Sequence, residues 1–275
     1  MKKQTKIIFV TTAILIILVS VFGVYYFSSP AKATLLPIGE PPEGQIKITG
    51  DVVADQTWTI KELTLLPLTN ITITQNGVNS TYVGVKLREV VNRSDVQWSA
   101  GNLTVKNSDG TQKTLTMYQV MDNANWSSKQ IIIAFVKDSQ WLTIESGGLV
   151  QLITQGFSQD YQLNDVTEIS IEEWVIQLTG AVTNPLTLSA QNMTDFEEIT
   201  LQGAFVPGGG SQRISNWTGV DLWSILQAAG ISNDATTISV TAVDKYSQQF
   251  SISLAKNHSM LIGYLENGEH LPQDG

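Results

Sequence analysis

Beyond Gln45 the chain is written in short runs where apolar and polar residues alternate. Ile46-Lys-Ile-Thr-Gly-Asp-Val-Val53, Asn70-Ile-Thr-Ile-Thr-Gln75, Leu103-Thr-Val-Lys-Asn107, Thr111-Gln-Lys-Thr-Leu-Thr116 and Val166-Thr-Glu-Ile-Ser-Ile171 each place β-branched or aliphatic residues two apart, the period of a half-buried strand. Gln130-Ile-Ile-Ile-Ala-Phe-Val136 is apolar throughout and predicts a buried strand, and Leu149-Val-Gln-Leu-Ile153 follows a Gly147-Gly148 turn. One stretch has a different period. Leu222, Ile225, Leu226 and Ala229 fall at i, i+3, i+4 and i+7, one face of a helix, with Gly230 at the position of a C-cap.

The same succession occurs twice. Gly84 and Gly219, Leu87 and Leu222, Val90 and Ile225, and Asp109 and Asp244 are each 135 residues apart. A constant offset through a turn, a helix and a strand predicts one fold repeated. The opening strands Ile46–Val53 and Val175–Val182 correspond at Gly50 and Gly180, an offset of 130, and each is followed by a segment with turn chemistry, Trp58–Pro67 and Asn184–Ser189. Gly84 and Gly219 are expected to make tight turns before the helices. The second copy continues as strands 238–243, 198–202, 249–254 and 260–265, with a turn at Asn267–Pro272. By the offset, Gly275 aligns near Gly147, so about two strands of the first copy have no partner in the second, and the sequence reads as a fragment or a truncated product.

The N-terminus differs. Lys2, Lys3 and Lys6 precede an uncharged run from Ile7 to about Ser29, long enough to cross a bilayer, which predicts a retained membrane anchor with a cytoplasmic N-terminus and an exported body. The alternative is a cleaved signal peptide ending at Ala31-Lys-Ala33. Pro37, Pro41 and Pro42 mark residues 30–45 as a linker. Asn-x-Ser/Thr sequons at Asn70, Asn79, Asn92, Asn102, Asn125, Asn192, Asn216 and Asn257 would permit N-glycosylation of an outward-facing chain, although a chain rich in Asn, Ser and Thr also makes sequons by accident.

A net charge of -9 without a basic stripe argues against a nucleic-acid partner. The sequence contains no cysteine, which excludes disulfides, thiolate metal sites and cysteine nucleophiles.

The ordered motifs Ile48-Thr-Gly50, Leu65-Leu-Pro67, Asp109-Gly110, Trp217-Thr-Gly-Val-Asp-Leu222 and Asn267-Gly-Glu-His-Leu-Pro272 resemble the oxidoreductase molybdopterin-binding domain, the sulfite-oxidase type of fold. The resemblance runs from Ile46 to the end, twice. It implies a strand-rich α+β fold of two tandem molybdopterin-binding-like domains, residues 46–174 and 175–275, behind a transmembrane anchor (1–29) and a linker (30–45). It also implies a cysteine thiolate on molybdenum just after the strand that precedes the helix. Here those strands end at Gln75 and Gln202, whose neutral carboxamides poorly replace a soft anionic thiolate. Gln151 stands where the family's Gly-Pro-Leu-Arg-type strand carries an arginine, so charge-assisted binding of a phosphate is lost there. Arg213 is the second copy's best-placed cation near the family cleft. Molybdopterin is therefore implied by resemblance alone, and the residues themselves call for no cofactor.

Other features read as scaffold. His258 and His270 have no ligand partners at metal spacing. In Glu172/Glu173 and Glu197/Glu198 adjacent carboxylates on a strand diverge. Pro207-Gly-Gly-Gly-Ser211 lacks the Lys-Ser/Thr of a phosphate loop. Trp58, Trp126, Trp141 and Trp174 lie near element ends, where aromatic rings border clefts or pack in the core. Three functional readings follow: a non-catalytic binding or surface module for a small-molecule or protein ligand, a molybdopterin-dependent oxidoreductase, and an accessory subunit of a membrane redox complex.

Overall fold

The computed structural model describes residues 35–75, 77–121, 129–157, 161–205, 212–243 and 245–271. The expected anchor, Asn125, Trp126, the 207–211 turn, Asp244 and Pro272 lie outside them. Among the described residues no helix is long and apolar enough to cross a membrane.

The structure is a strand-rich α+β fold. Its first part runs β1 (Gln45–Gly50), β2 (Gln56–Thr59), α1 (Ile60–Leu63), β3 (Leu68–Gln75), β4 (Val78–Lys86), α2 (Leu87–Asn92), β5 (Ala100–Asn107), β6 (Gln112–Thr116), α3 (Met117–Met121), β7 (Gln130–Lys137), β8 (Gln140–Trp141), β9 (Gln151–Gln155) and β10 (Val166–Glu173). Two sheets form, β2-β1-β10-β5-β6 and β3-β4-β7-β8, with β9 added on β7. β1 and β10 are parallel, and β10 and β5 are antiparallel. The alternation seen in the sequence becomes the core. Ile46 and Ile48 of β1, Leu103 and Val105 of β5, and Ile169 and Ile171 of β10 join Val83, Val85, Ile133 and Phe135 of the other sheet in one buried cluster. Burying each such side chain contributes about 1.5–3 kcal/mol. β7 is apolar without alternation because its other face is also covered, by Ile71, Tyr82 and Ile153 around Ile132 and Ala134.

The second part has the same order: β11 (Val175–Leu178), β12 (Leu186–Ser189), α4 (Ala190–Met193), β13 (Glu198–Phe205), β14 (Arg213–Asp221), α5 (Leu222–Ala228), β15 (Thr237–Thr241), β16 (Ser247–Ser251), α6 (Ile252–Lys256), β17 (Leu261–Glu266) and β18 (Glu269–His270). The correspondence extends to single hydrogen bonds. The bridge Val52↔Val96 is matched by Val182↔Ile231, and Val53 N–H donates to Asp95 O at 3.0 Å as Thr183 N–H donates to Gly230 O at 3.0 Å. Asp95 and Gly230 both take positive φ, 47° and 66°, to end their helices. The sheets differ, however. β13-β14-β17-β18 is one sheet, whereas β11-β12 and β15-β16 are separate two-stranded ribbons.

Several sequence expectations are corrected. The Trp58–Pro67 segment contains strand and helix. Thr59 and Glu62 form a capping box at α1, as Ser189 and Asn192 do at α4. Residues 252–254 are helical rather than extended, because Ser251 Oγ accepts the Ser253 N–H and starts α6. Gly84 and Gly219 are not turns. Each lies inside a strand at a register shift, Val83/Gly84 and Thr218/Gly219, where a Cβ would overlap the carbonyl oxygen of Ile133 or Ile262 on the neighbouring strand.

Gly84→Ala is therefore expected to destabilise the first part by about 2–4 kcal/mol through this backbone clash, seen as a lower urea midpoint with an unchanged slope. A loss below about 1 kcal/mol would show that the strand gives way freely.

Candidate functional site

The four cleft candidates do not assemble. Gln75 ends β3 at an exposed hairpin, opposite Val78, and its Nε2 donates to Gln162 Oε1 at 3.3 Å. Gln202 lies inside β13, exposed and opposite Asn216. The two are not equivalent positions: β3 and β13 correspond at an offset of 130, which places Phe205, not Gln202, against Gln75. Gln151 is 3% exposed. Its Nε2 donates to Ser146 O at 3.1 Å and Gly147 O at 3.3 Å, so the carboxamide closes the Gly147–Gly148 turn and faces no cleft. Arg213 is exposed on β14, with Nη2 3.2 Å from Glu266 Oε2. Among the described residues no group of three His, Asp or Glu side chains is placed to hold a metal ion.

Of the described sequon asparagines, Asn70, Asn79, Asn92, Asn216 and Asn257 are exposed, while Asn102 and Asn192 are half-buried. The Asn192 carboxamide is committed: Nδ2 donates to Thr187 O and Oδ1 accepts the Ser189 N–H, both at 2.8 Å. Glu172 and Glu173, adjacent on β10, take different partners, whereas Glu197 precedes β13 and only Glu198 is in the strand. Glu172 accepts from Thr104 Oγ1 and Glu173 from the Gln191 N–H.

Sequence reasoning missed two arrangements. The first is a buried carboxylate at the start of α5. Asp221 is fully buried; its Oδ2 accepts the Ser224 N–H at 3.0 Å and lies 2.9 Å from His258 Nδ1, while Oδ1 has no protein partner. The pair pins the loop before β17 onto the helix N-terminus. Its members are 37 residues apart in sequence.

The second is an apolar cavity of about 410 Å³ between the two parts of the chain. Trp98 and Met117 line it from the first part, Trp174 from the junction of β10 and β11, and Ile176, Met193 and Tyr264 from the second part. Trp98 stacks on His270 at 4.3 Å between ring centroids with planes 10° apart, and it also meets Trp174 and Tyr264 at 5.9 and 5.8 Å. The Tyr264 hydroxyl donates to Glu198 Oε2. None of the four cleft candidates lines this space. Trp174 does border it, whereas Trp58 and Trp141 pack on the core.

Residues 163–275 match the family model of the oxidoreductase molybdopterin binding domain. The match begins at Leu163 and so takes in β10 as well as everything after Val175. Among solved structures, the sulfane dehydrogenase SoxCD from Paracoccus pantotrophus is similar at 15% identity and a TM-score of 0.40, over 64% of this chain and 53% of that one. The chain thus spans about half the length of that protein. No curated protein matches.

Burial foremost, then the hydrogen bond to Glu198 and its charge, pushes the Tyr264 phenol up to about 12. A folded pKa above the unfolded value means that this stabilisation is complete below about pH 10 and is lost as pH rises through about 12. In an absorbance titration of phenolate, one tyrosine is expected to ionise late, and Tyr264→Phe to remove that last step. A Tyr264→Phe curve that keeps it would refute the assignment.

Proposed function

We propose that this is a membrane-anchored, extracytoplasmic protein in which the molybdopterin-binding fold occurs in tandem and serves as a non-catalytic binding or surface module for a small-molecule or protein ligand. The single observation that carries this reading is the donor inventory at the positions the family would use. The sequence has no cysteine. Gln75 is at an exposed hairpin end bonded to Gln162, and the Gln151 amide is taken up by two backbone carbonyls. A molybdenum centre held by a protein thiolate needs a soft anion, and a pterin phosphate needs a cation or converging N–H donors. None of the four candidate positions supplies a soft anion, and the one cation among them, Arg213, is exposed on β14 and paired with Glu266, so these residues do not fit the cofactor.

The family match across residues 163–275 keeps a second reading open, a molybdopterin-dependent oxidoreductase or an accessory subunit of a membrane redox complex. Metal analysis of the full chain from a molybdopterin-competent host separates them. Under the proposed function molybdenum is far below one per chain, and a stoichiometric metal would establish the oxidoreductase reading instead.

A companion variant, Gln75→Cys, is expected to take up no molybdenum, because an exposed thiol at a hairpin end lacks the surrounding donors. Clear loading of that single variant would show that the site is otherwise complete.

A further inference from the structure

Residues 35–44, which the sequence marks as linker, are docked on the first part of the chain. Leu35 and Leu36 pack against its buried core, and Pro37, Pro41 and Pro42 are half-buried. At Gly44 the fit is tight. Ile60 N–H donates to Gly44 O at 2.9 Å, and a Cβ on Gly44 would stand 2.8 Å from Ile60 Cδ1 and 3.0 Å from Leu149 Cδ1. Three segments therefore converge here: residues 35–44, α1 with the turn after it, and the turn before β9. Each carries one exposed aliphatic side chain, Ile38 at 103%, Leu65 at 81% and Ile144 at 77%, and among the described residues no other large hydrophobic side chain is as exposed. Leu65 is tied to α1 by its N–H, which donates to Glu62 O at 3.0 Å, and Ile144 O accepts the Gly148 N–H at 3.3 Å beside Leu149. A single exposed aliphatic residue is ordinary, but three on segments that meet at one glycine form an interaction surface.

We propose that this end of the first part rests on the bilayer that holds the chain's own anchor, with Ile38, Leu65 and Ile144 in the lipid interface and residues 35–44 serving as a docked strap rather than a free spacer. The proposal rests on the membrane-anchored reading above. The length of chain between anchor and strap selects the occupant. The uncharged run ends at about Ser29, six residues before Leu35, and six residues reach at most about 20 Å when fully extended. Because Leu35 is held on the core, a bilayer crossed by that run lies within this reach of the strap, whereas no second protein is obliged to come so close. The charges favour apolar contact over attraction to anionic headgroups: Glu40, Glu43, Glu62 and Glu145 are exposed on the three segments, and Lys61 is the one cation on them. Burial of the aliphatic side chains supplies the contact.

The sequence has no cysteine, so single cysteines take a fluorophore without competition. Ile38→Cys, Leu65→Cys and Ile144→Cys are made in the full chain, labelled and reconstituted in phosphatidylcholine vesicles. Val78→Cys is the control, since Val78 is 66% exposed but sits at the opposite end of the β3–β4 pairing from Leu68. Labels at the three positions are expected to be quenched by lipids carrying a nitroxide, with iodide quenching about threefold weaker than at residue 78. Leu35→Ser combined with Leu36→Ser should undock the strap, so that shielding at residues 65 and 144 falls while the protein still floats with the vesicles; undiminished shielding would overturn the role of the strap. If the chain withstands alkaline extraction yet all four labels meet iodide alike, the proposal is overturned and the anchored reading stands. A chain stripped from the vesicles by alkali overturns the anchored reading and this proposal with it. Shielding from iodide without quenching by the lipid nitroxide would overturn the choice of occupant and assign the surface to a second copy or another protein.

Discussion

A strand in a sheet interior has to satisfy backbone donors and acceptors on both sides, and its side chains must fill the layer beneath. β10 meets both demands, bonded to β1 on one side and β5 on the other, with Ile169 and Ile171 turned into the core. Around it the first part of the chain closes. Glu168 on the solvent face adds a lateral tie, accepting from Thr49 Oγ1 at 3.0 Å and Lys106 Nζ at 3.1 Å. The Lys106 hydrogen bond holds the Glu168 carboxyl below the usual carboxylate range despite partial burial. That tie is present above the ordinary glutamate range and is lost as pH falls through the lowered pKa. The pair is partly exposed, so the aliphatic burial beside it outweighs it in holding the sheet.

In the second part, where among the described residues β11 pairs with β12 and β15 with β16, the same local elements are present. The capping box, the helix-end bridge and the bulged glycine are all made in the second part, because each is satisfied within a hairpin or across one turn. Local geometry is thus satisfied within each hairpin or turn, and the buried residues of the second part gather in two clusters, around Ile225 and around Leu226. Tyr264 and Trp174, the latter at the junction of β10 and β11, turn toward Trp98 of the first part, which couples the two parts through ring contacts.

The corresponding element order of the two parts was legible in the sequence because its marks are backbone constraints. A glycine that must sit under a neighbouring carbonyl, or a residue in the left-handed region at a helix end, admits few replacements, so the spacing survives. What escaped were features set by tertiary contact. Ser251-Ile-Ser-Leu254 alternates like a strand, yet a serine cap makes it a helix. Gln75 and Gln202 were paired by counting to strand ends that the apolar pattern could not fix. The change of offset from 130 to 135 falls between β13 and β14, where the connection is longer than the hairpin between β3 and β4. Asp221 and His258 carry no shared pattern, since a contact between a helix start and a distant loop leaves no period.

The corresponding helix starts show how far chemistry drifts while the frame stays. α2 begins after Lys86, whose side chain makes no cap, and places Glu89 in its first turn. α5 begins after Asp221, whose carboxylate caps the Ser224 N–H, with Ser224 at the position of Glu89. Both solutions put negative charge against the helix N-terminus, as the exposed amides and the dipole favour, but from different residues. The two helix starts thus share a nearby carboxylate but not its position. The same freedom applies at Gln151, where a carboxamide closes a turn that the fold needs without supplying the cation that a phosphate would need. A match in fold therefore carries the scaffold's requirements to this chain, and each chemical role has to be argued again from the side chain that stands at the site.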